Sequence, residues 1–460
     1  TLKMKVQYRS TRGGETNLSF EDVVLNGLAK DKGLYVPIEI PSIDKSVIES
    51  WRLFTFSDLA FSIMSQFISK DEIPAEDLKI LVENSYKKFR HEEVTPLKQV
   101  DNIWVLELFH GPTFAFKDVA LQFLGNLFEY LIERKRLTEK NRRLTILGAT
   151  SGDTGSAAIY GMRGKKNMDC FILFPEGRVS EIQERQMTTV SDENIHCVSI
   201  DGSFDDCQSL VKAAFADSKF NGEVQLGAVN SINWARVLAQ TTYYFWAYFR
   251  VTDGKGDVEA NFSVPTGNFG DILAGYYCKR MGLPIGKLVV ATNENDILHR
   301  FFTTGKYWRE TPKVTIAPSM DICVSSNFER YLFHLSGDDS GILKKWFEEF
   351  ERTGKITVEG EMLIKAKADF LSAKVTTEEN LANIKLYYEK CGYLFCPHSS
   401  IGAVAPEHCD LEDDLNVILA TAHPAKFPSA VGMVVNPLPT APVELQLLNK
   451  LPTRKKKIEK

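Results

Sequence analysis

A lysine set among apolar side chains is the first residue in this sequence with chemistry in reach. Lys117 stands between Phe116 and Asp118 in HGPTFAFKDVALQF, His110 to Phe123, after one apolar run and at the head of another. An amine beside apolar walls loses its proton more readily, as a Schiff-base nucleophile requires. Most lysines at a strand–helix junction are nonetheless surface residues. A lone His110 is likewise more often packed or solvated than a base.

Four other stretches offer anion sites or hydroxyls. In LGATSGDTGSAA, Leu147 to Ala158, a strand ends at Gly148 and a helix begins near Gly155. Open amides at that helix start, with Thr150, Ser151, Asp153 and Thr154 beside them, suit a carboxylate. Asp153 is equally suited to cap the helix. In VPTGNFGDILAGY, Val264 to Tyr276, Gly267 and Gly270 let backbone amides surround a phosphate. The stretch has neither a Walker loop nor the GxGxxG spacing of a dinucleotide site. Arg236, one turn into NSINWARVLAQ, is either paired in the core or aimed at an anionic ligand. ATAHPAKF, Ala420 to Phe427, puts the Thr421 hydroxyl at a strand end, with His423 and Lys426 near it.

Something must carry these motifs to one place. From about residue 100 the pattern is apolar strand, glycine turn and amphipathic helix, with strands expected at 102–108, 144–147, 170–174, 196–200, 262–264, 288–291 and 417–420. Helices are expected over 119–131, 155–163, 205–215, 233–249 and 271–281. Such alternation predicts an α/β fold of parallel sheets covered on both faces, with ligands at the carboxyl ends of the strands. The expected organisation is an N-terminal segment over 1–95 and a first α/β domain over 96–225 carrying Lys117. A second α/β domain over 226–430 carries the phosphate loop and a helical insertion at about 328–390, and a C-terminal tail follows over 431–460, its basic end RKKKIEK, Arg454 to Lys460, expected to be solvated.

Composition narrows the function. The 460 residues are 44% hydrophobic and 25% charged, with 55 basic against 60 acidic residues and a net charge of −5. That excludes binding of nucleic acid through bulk positive charge. No apolar run reaches the roughly 18 residues of a membrane span, and TLKMKVQYRSTRGG lacks the apolar centre of a signal peptide. The eight cysteines include no CxxC pair, so free thiols, a cytoplasmic location and no metal are expected. No nucleic-acid or membrane partner is expected, and a monomer is favoured over an oligomer.

In this order, HGPTFAFKD, ATSGDTG, NSINWAR and GNFGD, with the lead-in YRSTRGG and FEDVVLNGLAKDKGLYVP, resemble the threonine synthases of the fungal type as far as about residue 430. These are fold-type II enzymes that use pyridoxal 5'-phosphate. The resemblance implies two parallel-sheet domains of the tryptophan synthase β-like type with a cofactor cleft between them. It implies that Lys117 is the Schiff-base lysine and that Gly267, Asn268, Phe269, Gly270 and Asp271 hold the cofactor phosphate. Thr421 would face the pyridine nitrogen and leave it unprotonated. Asp153 would flank the cofactor ring, while Ser151 and Thr154 would receive the substrate carboxylate and Arg236 the substrate phosphate. An ionised carboxylate beside the ring oxygen would be repelled, so Asp153 must be protonated, cap its helix or bind elsewhere. The implied reaction turns O-phospho-L-homoserine and water into L-threonine and phosphate, the last step of threonine biosynthesis. Three alternatives remain at this point: a threonine-synthase-like phospho-lyase releasing α-ketobutyrate from O-phosphohomoserine or O-phosphothreonine, a dehydratase of unphosphorylated amino acids, and a non-catalytic binding protein on the same scaffold.

Overall fold

Two parallel sheets carry the motifs. In the computed structural model, residues 6–252, 258–411 and 414–459 are described; residues 1–5 of the expected N-terminal segment and Lys460 of the tail lie outside them. The larger sheet has, in spatial order, the strands Leu371–Lys374, Ile285–Thr292, Ala260–Pro265, Asn416–Ala420, Ile103–Glu107 and Leu97–Val100. All neighbours are parallel except the last pair. The smaller sheet, parallel throughout, orders Lys456–Ile458, Ile195–Ile200, Met168–Pro175, Leu144–Ala149 and Leu226–Gly227. Strands covered on both faces read as nearly continuous apolar runs, and ANFSVP and NVILA are buried throughout their length, polar Asn261, Ser263 and Asn416 included.

Strand pairing redraws the expected boundaries. Leu97–Val100 and Ile103–Glu107 fall in the expected first domain, yet Ile103–Glu107 pairs with Asn416–Ala420 in the larger sheet. Leu226–Gly227, expected in the second domain, pairs with Leu144–Ala149 in the smaller one. The tail is not simply solvated. Lys456–Ile458 adds an edge strand to Ile195–Ile200, and Lys455 binds Glu176 at 2.9 Å and Glu184 at 2.8 Å. Within the expected insertion, Leu371–Lys374 forms the far edge of the larger sheet. The N-terminal segment is no separate body either: Tyr8 packs on Trp234 with ring centroids 6.0 Å apart.

Three helices bring the site together. Trp234–Thr252 is buried at almost every position, as expected of a helix apolar around its whole circumference. Lys117–Lys135 and Asp153–Met162 press against each other at Gly125 and Gly161, where an added Cβ would overlap the carbonyl of Gly161 or of Leu121. Only hydrogen side chains permit that approach. Among the described residues, no helix is long and apolar enough to cross a membrane.

Candidate active site

Lys117 is the first residue of its helix, and the turn before it is stapled to the end of the Asn416–Ala420 strand. The Phe116 amide donates to the Thr421 carbonyl at 2.8 Å, and the His423 amide to the Phe114 carbonyl at 3.1 Å. Phe114 takes a left-handed backbone conformation (φ 60°) to make this turn. The Lys117 amine lies 4.7 Å from the Phe116 ring centroid and donates to no acceptor among the described residues. Burial, with the charges of Arg236 and Lys426, outweighs Asp153 and Asp118 and brings its pKa down to about 8.

The phosphate-type turn has the open amides its glycines predict. The N–H groups of Gly267, Asn268, Phe269, Gly270 and Asp271 find no acceptor among the described residues. Outward-facing bonds hold the loop: Ser325 Oγ donates to the Gly267 carbonyl at 2.7 Å, and the Asn327 amide to the Asn268 carbonyl at 3.0 Å. Phe269 adopts φ 63° and sends its ring into an aromatic cluster with Phe302, Phe328, Tyr331 and Phe370. Its side chain therefore anchors the loop while its amide stays available. The Asp271 carboxylate also faces away from the amides and accepts from Tyr243 at 2.6 Å and Tyr244 at 2.9 Å. Burial raises its pKa to about 6 against those two bonds. Five open amides at a helix start suit a phosphate dianion.

At the second turn, Thr150 Oγ1 accepts from the amides of Gly152 at 3.0 Å and Gly155 at 2.9 Å. The amides of Ser151, Asp153 and Thr154 are left without an acceptor among the described residues. Ser151 is exposed and Thr154 half-buried, which suits a ligand arriving from the cleft. Asp153 resolves as bound elsewhere: it caps nothing with its side chain. Its Oδ1 lies 2.5 Å from Lys426 Nζ and accepts from Gln183 Nε2 at 2.9 Å. Burial opposes its charge, but Lys426 and Lys117 hold the carboxyl well below its usual range.

Arg236 is 2% exposed and has no carboxylate partner among the described residues. Nη1 donates to the Val229 carbonyl at 2.8 Å, and Nε is buried without an acceptor. Burial brings its pKa down to about 10. A buried guanidinium without a carboxylate keeps donors that an anionic ligand could take. The Thr421 hydroxyl has no hydrogen-bond partner among the described residues, whereas the Thr421 amide takes Ser399 Oγ at 2.9 Å. His110 belongs to the packing, its Nε2 lying 2.7 Å from the Glu107 carboxylate.

Sequence reading left Gln183 and Ser399 unmarked and gave His398 and Lys426 no role. His398 accepts the Ser319 amide at 3.1 Å beside the phosphate-type loop and leaves Nδ1 buried without a partner. Burial brings its pKa down to about 4, with Lys117 and Lys426 pressing the same way against Asp153. These residues arrive from other elements, and only Lys426, five residues from Thr421, had a local signal.

Open amides, a free amine and an unneutralised arginine fit a phosphorylated aldehyde cofactor and an anionic substrate. Comparison with known proteins agrees. Family models described as "Threonine synthase N terminus", "Pyridoxal-phosphate dependent enzyme" and "Threonine synthase, C-terminal" match residues 7–86, 88–419 and 399–460. The chain belongs to the threonine synthase family. The last match runs to residue 460, beyond the expected limit near 430. Threonine synthase of Schizosaccharomyces pombe is 52% identical over 95% of this chain and 90% of its own. The crystal structure of threonine synthase from yeast superposes with a TM-score of 0.95 at 46% identity, covering 100% of this chain and 96% of that one. A PLP-bound threonine synthase from Brucella melitensis gives 0.93 at 44%, covering 99% and 96%. Human threonine synthase-like 2 is more distant, 37% identical over 97% of this chain and 93% of its own.

Proposed function

We infer that the chain is a pyridoxal-phosphate-dependent threonine synthase converting O-phospho-L-homoserine and water into L-threonine and phosphate, with Lys117 as the amine that joins the cofactor. The observation that carries the residue assignments is the unpartnered Lys117 amine in a site with five unsatisfied amides over Gly267–Asp271. When bound, pyridoxal 5'-phosphate supplies an electron sink conjugated with the substrate's Cα.

The chain's own residues do the rest. The amides of 267–271 would hold the cofactor phosphate, and Thr421 would present its neutral hydroxyl to the ring nitrogen. The Ser151, Asp153 and Thr154 amides would take the substrate carboxylate, fixing Cα against the Lys117 turn. Arg236 would bind the substrate phosphate as a charge-assisted donor and stabilise it as it leaves. Once released by the incoming substrate amine, Lys117 would carry protons at Cα and Cβ, and its pKa of about 8 suits it to both directions near neutral pH. Burial of Lys117, Asp153 and Arg236 would limit the access of bulk water to reactive species, and a water would add at Cβ. The same reading makes the chain a cytoplasmic enzyme with a small-molecule substrate.

The test is product analysis with O-phospho-L-homoserine and, separately, O-phosphothreonine. Threonine and phosphate in equal amounts from the first are expected. α-Ketobutyrate as the sole organic product would overturn the reading in favour of the phospho-lyase.

A further inference from the structure

Among the described residues, three carboxylates exert their fields on the Lys117 amine, and each has at least one oxygen tied to other donors, Asp271 Oδ2 staying buried without a partner. Asp118 accepts from the Thr113 amide at 2.7 Å and the Thr113 hydroxyl at 2.8 Å. Asp271 is taken by Tyr243 and Tyr244, and Asp153 by Lys426 and Gln183. The remaining titratable groups facing Lys117 are Arg236, Lys426 and His398. A carboxylate free to turn toward Lys117 would hold it as an ammonium ion, which has no lone pair for chemistry.

Of the three, Asp153 is held across the cleft. It opens the helix after the Leu144–Ala149 strand of the smaller sheet, whereas Lys426 follows the Asn416–Ala420 strand of the larger. Lys426 is 0% exposed and Asp153 4%. Lys426 also donates to the Thr113 carbonyl at 2.9 Å, an oxygen that accepts from Gln186 at 3.0 Å. A buried ion pair offsets its desolvation only with added hydrogen bonds, which Gln183 supplies to Asp153 and the Thr113 carbonyl to Lys426.

We propose that Lys426 is a positioning residue: by clasping Asp153 across the cleft it holds the 151–154 turn against the Lys117 turn and denies the Asp153 carboxylate to the Lys117 amine. This rests on Lys117 being the reactive amine, as inferred above. Lys426→Met then leaves Asp153 with Lys117 as its cationic neighbour. Asp153→Asn removes an attraction for the protonated amine and leaves Lys426 opposing it. Both changes together remove a neutral pair.

Acetic anhydride labelling of the full chain without cofactor, followed across pH by mass spectrometry of the Lys117 peptide, reads the pH at which the amine is half free. Lys426→Met is expected to raise that pH and slow labelling at pH 7 on the order of tenfold, the loss of free amine that follows when the midpoint rises by about one pH unit. Asp153→Asn should lower it, and the double variant should return close to wild type. Opposite signs from two single variants are not the mark of general loosening. An unchanged titration in Lys426→Met, or a double variant displaced as far as that single one, overturns the proposal. Should Lys426→Met fail to fold, Asp153→Asn decides alone, an unchanged or raised pH counting against the clasp. Borohydride treatment of wild type with pyridoxal phosphate separates the two layers: without an adduct on the Lys117 peptide the assignment of Lys117 itself fails, and the clasp with it.

Discussion

Gly161→Ala puts the seating of the two site helices to the test. The contact at Gly125 and Gly161 sets how Lys117, at the head of one helix, stands to the 151–154 turn at the head of the other. A methyl at Gly161 must withdraw by about 1 Å to reach ordinary van der Waals distance from the Leu121 carbonyl oxygen. Overpacking of this kind costs about 1–3 kcal/mol. The better helix propensity of alanine returns about 1 kcal/mol. The net loss of stability is therefore small, about 0–2 kcal/mol. Activity should suffer more. The contact lies about 12 Å along the helix from Asp153, and a rigid helix passes the displacement to the turn. Misplacement by about 1 Å costs up to 100-fold in rate. Urea unfolding and steady-state kinetics with O-phospho-L-homoserine read the two effects separately. Gly222→Ala is the control, since its Cβ meets nothing within 4 Å. Wild-type kcat/KM in Gly161→Ala, with or without a loss of stability, would refute the claim that this contact sets the site.

Two further outcomes follow from charge. Arg236→Met should raise KM for O-phospho-L-homoserine on the order of 10–100-fold, the worth of a charge-assisted bond of about 1.5–3 kcal/mol; cofactor affinity should barely change, and a variant that loses cofactor instead would move Arg236 to the other phosphate. Capture of pyridoxal phosphate by the cofactor-free chain, followed by its visible absorption, should accelerate with pH and level off above about 8, because burial lowers the Lys117 pKa and frees the amine above that pH; a rate still climbing near pH 10 would show an unperturbed lysine.

Sequence made the strand ends legible because parallel, doubly covered strands leave unbroken apolar runs, and glycine turns mark where helices begin. Lys117, Thr421 and the 267–271 turn follow such ends and could be located by position alone. Side-chain destinations were not legible. Asp271 and Phe269 sit inside the phosphate-type motif, yet one reaches Tyr243 and Tyr244 and the other an aromatic cluster, partners between 27 and 101 residues distant in sequence. Asp153 offered three readings, and its actual partner, Lys426, comes from the other sheet. Sheet membership was hidden for the same reason: Ile103–Glu107 and Asn416–Ala420 pair across most of the chain, and no local pattern records it. The tail read as solvent-exposed because RKKKIEK is charged, but a strand on a sheet edge can pair through its backbone while its side chains stay in water.

Borohydride reduction of the cofactor-loaded chain, followed by mapping of the modified peptide, reads which amine joins the cofactor. A single pyridoxyl adduct on Lys117 is expected, absent from Lys117→Ala, whose threonine formation should fall on the order of 1,000-fold or more through loss of the covalent catalyst. An adduct on another lysine, or turnover in Lys117→Ala near that of the wild type, would contradict the assignment of Lys117.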